Sequence, residues 1–234
     1  MAFVNRVDAG CRLAERLRHL GGEPVVVLGL PRGGIPVAFE VARALDAPLD
    51  VIVVRKLGVP HQPELAMGAI GEDGIRVLND EVIDITQVSE QELAAVEARE
   101  RAELERRARR FRGDRPRQPL EGRTAIIVDD GIATGSTARA ACQVARAHGA
   151  TRIVLAVPVA PPGWTSRFEA DADELIALET PEPFFAVGQF YEDFSQTTDD
   201  EVVAYLERAD APAVVNAAAA GPPMIHPSET TKSS

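Results

Sequence analysis

The sequence predicts an α/β protein with a doubly wound, mainly parallel sheet. Strand-like and helix-like stretches alternate along the chain, the pattern of layered α/β domains. The strands read as apolar runs, at Val25–Leu30, Ala125–Val128 and Arg152–Pro158, as in strands buried on both faces. Polar or glycine-bearing loops at 31–34, 55–66 and 129–137 each follow a strand. They would therefore meet at the carboxyl edge of the sheet, where ligands bind in open α/β folds.

Composition narrows the function. The 234 residues are 45% hydrophobic, enough for a full core, and carry a formal net charge of −11. That charge argues against general binding to nucleic acid or anionic membranes, and it means an anionic substrate needs a local cation cluster. Cys11 and Cys142 stand far apart, in no metal-like spacing, and read as reduced thiols of a cytoplasmic protein. Neither a secretory leader nor a run of transmembrane length is expected. Residues 1–210 form the expected domain, and 211–234, rich in Ala, Pro and Ser/Thr, the expected disordered tail.

The first helix is expected over Asp8–Leu20, with Leu13, Leu17 and Leu20 on one face and Gly21-Gly22 as its stop. The Val25–Leu30 strand leads into Pro31-Arg32-Gly33-Gly34 and a helix over 35–45. Asp50–Arg55 reads as a strand ending in Arg55-Lys56, and Leu57–Leu65, with Gly58, Pro60 and Pro63, as a loop. A short hairpin is expected over Met67–Gly71 and Ile75–Leu78. The longest helix runs from Ser89 to about Arg112, opened by a Ser89/Glu92 capping box and laced by Glu97–Arg101, Glu103–Arg107 and Glu105–Arg109 pairs. Its basic end, Arg106 to Arg117, reads as solvated or subunit-contacting rather than as a nucleic-acid surface. Strands over 152–158 and 174–178 and a helix over 199–208 complete the domain.

The chain is organised around A-I-I-V-D-D-G-I-A-T-G-S-T-A-R, residues 125–139. Four apolar residues form a strand, Asp129 and Asp130 follow, and Gly131–Thr137 make a small hydroxyl-rich turn before a helix over 138–148. The amides of a helix's first turn have no internal partner, and the helix dipole makes that end positive, so a phosphate can sit there. Thr134, Ser136 and Thr137 add hydroxyls, while Gly131 and Gly135 permit close backbone approach. The two acids need another target, such as a sugar diol or a magnesium-bound ligand. A phosphate beside a diol describes a ribose 5-phosphate. A P-loop would need Lys after the second glycine, where Ser136 stands.

V-D-D-G-I-A-T-G-S-T resembles the signature of the type I phosphoribosyltransferases, which bind 5-phosphoribosyl 1-pyrophosphate (PRPP). The resemblance implies a doubly wound domain with a small hood region. It implies Mg²⁺-dependent transfer of phosphoribosyl from PRPP to an acceptor, most simply a nucleobase, with release of pyrophosphate. Asp129 and Asp130 would hold the ribose diol. Gly131, Ile132, Ala133, Thr134, Gly135, Ser136 and Thr137 would hold the 5-phosphate. Arg32, Gly33 and Gly34 match the family's pyrophosphate loop, which often carries a non-proline cis peptide. Arg55 and Lys56 would join them on the leaving group, and Lys56–Ala66 would be the mobile loop that covers catalysis. Phe184-Phe185-Ala186-Val187-Gly188 resembles the F-V-V-G stretch of purine enzymes, so Phe185 would stack on a base. Glu192 would join Asp129 and Asp130 near magnesium. PRPP and a small acceptor are the expected ligands, and a homodimer the expected assembly.

One departure bears on the acceptor. Hypoxanthine and guanine enzymes carry an Asp before the T-G of the signature; Ala133 stands here and cannot exchange a proton. Hypoxanthine and guanine are therefore expected to be poor acceptors. Both acids lie beyond the buried strand, so substituting either is expected to weaken PRPP binding without unfolding the protein. Two other functions fit the same loops: a PRPP- or nucleotide-sensing regulator that binds RNA or DNA, and a hydrolase acting on a nucleotide or sugar phosphate.

Overall fold

The computed structural model describes residues 3–211; the expected tail, from 212 on, lies outside the described residues. A helix α1 (Arg6–Arg16), capped by Asn5, opens the chain and ends in a 3-10 turn at Arg18–Leu20. Strand β1 (Val25–Gly29), helix α2 (Gly34–Leu45) and strand β2 (Leu49–Val51) follow. Strands β3 (Val54–Val59), β4 (Gln62–Gly71) and β5 (Arg76–Leu78) and helices α3 (Asp80–Thr86) and α4 (Glu90–Arg112) fill the middle. Strand β6 (Thr124–Val128), helix α5 (Ser136–Ala147), strands β7 (Arg152–Val159) and β8 (Glu174–Glu179) and helix α6 (Asp199–Asp210) complete it.

Five strands form a wholly parallel sheet in the order β2-β1-β6-β7-β8. Alternate side chains divide its core. Val25 and Val27 of β1 and Ile126 and Val128 of β6 pack with α1 and α2; Val26, Leu28, Ala125 and Ile127 pack with α5. The strand order reverses between β1 and β6, so the loops after these two strands share the crevice at the switch point. A satellite cluster of Phe3, Tyr191, Phe184, Val187, Phe190 and Phe194 sits against Val159 and Leu178 at the ends of β7 and β8, as a hood. Backbone bonds from Phe3 to Phe190 (2.7 Å) and from Glu192 to Phe3 (2.8 Å) tie the N-terminus into it. No helix among the described residues is long and apolar enough to cross a membrane.

The stretch expected as a loop at Leu57–Leu65 is instead the β3–β4 hairpin. Its breakers are accommodated rather than avoided. The register shifts at Leu57–Gly58–Val59, and Pro60 lies in the turn. Gly58 lies where a Cβ would meet the Pro63 carbonyl at 2.5 Å, a backbone approach only glycine allows. The strand expected over 50–55 splits accordingly, its second half joining the three-stranded sheet β3-β4-β5. Helix α3 was not anticipated: its seven residues are too few to show a period, although Asn79 caps it by accepting from the Val82 amide.

The arginine-rich end of α4 is neutralised within the chain. Arg106 and Arg107 hold Glu103, Arg109 faces Glu105, Arg110 meets Asp199 and Asp200, Arg115 holds Asp210 and Arg117 holds Asp73. Arg112 is buried, bonding Asp50 at 3.1 Å, the Val51 carbonyl at 2.8 Å and Glu72. It pins α4 to β2 and to the β4–β5 turn.

Candidate active site

Asp129 and Asp130 stand at the end of β6, half-buried, beside the loop that follows β1. The Pro31–Arg32 peptide is cis. Gly33 and Gly34 bring this loop against the acids. A Cβ on Gly33 would lie 2.0 Å from an Asp130 carboxylate oxygen, and one on Gly34 would lie 2.6 Å from the Val128 carbonyl and 2.9 Å from the Asp129 Cα. Only glycine fits at either position.

The two acids differ. Asp130 is held by Arg6, a residue that sequence reasoning missed: its Nε and Nη2 reach the same carboxylate oxygen at 2.9 and 2.8 Å. Arg6 also donates to the Ser195 carbonyl at 2.7 Å and lies 4.0 Å over the Phe194 ring. The Tyr191 hydroxyl donates to the Asp130 carbonyl at 2.6 Å. Asp130 thus joins α1 and the hood to the sheet, which corrects the expectation that stability does not depend on it. Nothing in the sequence flags Arg6, because 124 residues separate it from its partner. Asp129 accepts from the Asp130 amide at 2.9 Å and has no cation within 4.0 Å among the described residues. Burial and the neighbouring Asp130 charge push its carboxyl well above the usual range.

Beyond the acids, the loop divides its labour. Gly131 packs against Val187 and Val159, where a Cβ would lie 2.5 Å from Val187. Ile132, expected to line the ligand loop, is a core residue: its side chain is buried and its amide donates to the Val159 carbonyl at 2.9 Å. Gly135 has φ +79°, and a Cβ there would meet the Phe168 ring at 2.6 Å, so this glycine serves packing as well as backbone shape. Ala133, Thr134 and Thr137 are exposed, and Ser136 half-exposed, at the N-terminus of α5.

Residues 5–195 match the phosphoribosyl transferase domain. The chain belongs to that family. Two Mycobacterium tuberculosis proteins, from strains CDC 1551 and H37Rv and provisionally named phosphoribosyl transferases, are 63% identical to it over 225 residues, 95% of this chain. The chain spans 51% of the length of these curated relatives. The crystal structure of TT1426 from Thermus thermophilus is 47% identical, covering 89% of this chain and 99% of that one at a TM-score of 0.83.

The phosphoribosyl transferase domain brings the three expected loops together in part. A cavity of about 610 Å³ is lined by Pro31, Arg55, Lys56, Ser136 and Thr137. A neighbouring cavity of about 660 Å³ is lined by Lys56, Thr134, Gly135, Ser136, Arg139 and Arg167. Each expected pyrophosphate cation holds a carboxylate of its own chain: Arg32 faces Asp199 at 3.5 Å, Arg55 grips Glu100 at 2.6 and 2.8 Å, and Lys56 reaches Glu64 at 3.3 Å. Pro31 lines the 610 Å³ cavity and Arg32 does not. Phe185 is 83% exposed, so it is no core residue, while Val187, two residues on, abuts Gly131 of the signature. Glu192 is exposed, its amide donating to the Phe3 carbonyl at 2.8 Å, and among the described residues no three His, Cys, Asp or Glu side chains converge as metal ligands.

Proposed function

We propose that this phosphoribosyl transferase domain moves a 5-phosphoribosyl group from PRPP to a small acceptor and releases pyrophosphate. The observation that carries this reading is the asymmetric acid pair at the switch point. Asp130 is tied to Arg6, while Asp129, with no cation of its own, lies between the Gly33-Gly34 loop and the hydroxyl-bearing start of α5. A carboxylate so placed suits a vicinal diol, and the exposed Thr134, Ser136 and Thr137 suit a phosphate one sugar away.

In the reaction, the bond from C1 of the ribose to the pyrophosphate oxygen breaks, and the acceptor's lone pair takes its place. The transition state resembles an oxocarbenium ion, so the chain need supply no nucleophile. Asp129 orients the ring through its hydroxyls. Arg55 and Lys56 face the leaving group from the 610 Å³ cavity. Exposed ion pairs such as Lys56–Glu64 are worth about 0–1 kcal/mol, so a pyrophosphate can replace the carboxylate. The β3–β4 hairpin, which carries both cations, lines the cavity and is the element placed to exclude water once the ligand is bound. One or two carboxylates and no ligand cage fit a Mg²⁺ that arrives on the diphosphate with its waters, as this ion usually binds. Such an ion would neutralise charge on the departing pyrophosphate, with Asp129 the residue to hold it.

Ala133 presents only a methyl group beside the loop, which favours adenine, a pyrimidine or a non-nucleobase amine over hypoxanthine and guanine. The test is pyrophosphate release from PRPP with Mg²⁺ across an acceptor panel, each rate set against spontaneous PRPP hydrolysis. Acceptor-dependent release supports the reading; no PRPP binding by the folded protein ends it. Hypoxanthine or guanine as the best acceptor would overturn the argument from Ala133. The alternative of an RNA- or DNA-binding sensor draws no support from the Arg106–Arg117 region, where every arginine already has a carboxylate partner.

A further inference from the structure

Nearly every arginine of this acidic chain holds a carboxylate. Among the described residues Arg16, Arg123, Arg167 and Arg208 have none within 4.0 Å. Arg208 is stacked on Phe39 and Tyr205, at 4.7 and 5.4 Å. Arg16 ends α1, and Arg123 precedes β6 at the opposite edge of the sheet from the ligand loops. Arg167 alone of the four stands at the signature. It follows β7, its Nη1 lies 3.4 Å from the Ala133 carbonyl, and it lines the same cavity as Thr134, Gly135 and Ser136.

Its position is built. Arg167 ends the 3-10 turn Trp164–Arg167, and the aromatic residues that bracket this turn are both core. Trp164 and Phe168 are buried, edge to face at 5.7 Å, and Phe168 fills the space against Gly135. The same ring that shapes the loop thus fixes the backbone of Arg167, and the guanidinium stays exposed beside it. The other cations of this cavity are engaged: Arg139 bonds Asp171 at 2.7 Å and Lys56 faces Glu64 at 3.3 Å. The remaining carboxylate of the lining is Glu169.

The loop's own donors are neutral amides and hydroxyls. A phosphomonoester carries about −1.5 to −2 charges at neutral pH, and in a chain of net charge −11 it needs a local cation. We propose that Arg167 supplies that cation: it binds the 5-phosphate held by the 133–137 loop and sets the preference for phosphorylated over unphosphorylated sugars. This rests on the phosphoribosyl reading above. A guanidinium suits the task because its planar fork meets a phosphate with two parallel hydrogen bonds.

Calorimetric titration of the parent, Arg167→Gln and Arg167→Lys proteins with ribose 5-phosphate, and separately with Mg²⁺-pyrophosphate, tests this. Arg167→Gln should lower ribose 5-phosphate affinity about tenfold to a hundredfold, the range of a charge-assisted hydrogen bond. Arg167→Lys, which keeps the charge but not the fork, should restore part of it, and Mg²⁺-pyrophosphate affinity and melting temperature should not move in either. Ribose 5-phosphate affinity within twofold of the parent in Arg167→Gln overturns the proposal. So does equal loss in the Gln and Lys variants with a lowered melting temperature, which would make Arg167 a prop of the Ala133 carbonyl. A parent protein that binds neither ligand would instead remove the phosphoribosyl reading itself.

Discussion

Removing the guanidinium of Arg6 should cost this protein about 3 kcal/mol. The Arg6 and Asp130 side chains are 12% and 15% exposed, so the pair lies close to the buried limit. Breaking a fully buried pair costs about 3–5 kcal/mol, and an exposed one about 0–1. Discounting for the residual exposure gives about 2 kcal/mol for Arg6→Met, and loss of the contact over the Phe194 ring adds roughly another 0.5–1. For a domain of this size, that total lowers the melting temperature by about 6–12 °C. Asp130→Asn should cost less, about 1–2 kcal/mol, because the amide oxygen can still accept from Arg6 and the charge beside Asp129 is gone. Urea unfolding of the parent, both single variants and the double variant closes a thermodynamic cycle. A coupling of about 1–2 kcal/mol is expected. A coupling below about 0.5 kcal/mol, with Arg6→Met melting within 2 °C of the parent, would refute the tie and leave Asp130 as free as Asp129.

Three further outcomes follow from the geometry. Gly34→Ala places a Cβ 2.6 Å from the Val128 carbonyl, so the 31–34 loop must retreat from the acids; Mg²⁺-pyrophosphate affinity, read by calorimetry, should fall at least tenfold, and unchanged affinity would detach this loop from the site. Asp129→Asn should weaken ribose 5-phosphate binding while leaving melting unchanged or raised, since it removes a desolvated charge; ionisation of the phosphate raises affinity with pH in both proteins, and the parent's should rise further as Asp129 ionises. Nε2 of His148 accepts from Arg117, which requires a neutral ring, and burial together with Arg117 and Arg112 holds its pKa at about 4 against the effect of Asp73. The unfolded chain therefore binds the extra proton between about pH 6.5 and 4, so melting temperature should drop as pH falls through that window, and His148→Gln should flatten the drop. An equal drop in parent and variant would assign it to the carboxylates instead.

The strand–acid–loop–helix unit at 124–147 was legible from the residues because every part of it is local. A four-residue apolar run, two acids, a small-residue turn and a helix need no distant partner to be recognised, and the same holds for β1 with α2, β7 with β8, and the Ser89 cap of α4. Parallel strands buried on both faces have no polar alternation to confuse them, which is why the sheet could be read. The departures fall where a residue's environment comes from elsewhere in the chain. Gly58 and Pro60 signal a loop, yet they sit in a hairpin because a register shift absorbs Gly58 and the turn takes Pro60. Ile132 looks like a ligand residue by position, but the core beside Val159 claims it, and Gly135 is shaped by the Phe168 ring as well as by the loop. Arg6 and Arg167 carry no local mark; only folding sets one on Asp130 and the other beside Ala133. Sequence determined the strands of the parallel sheet, the helices that flank them and the loop that bears the acid pair, since propensity, periodicity and turn chemistry act over a few residues. Tertiary structure decided which charges are free to meet a ligand and which are spent on the fold, because an ion pair depends on distance in space rather than along the chain.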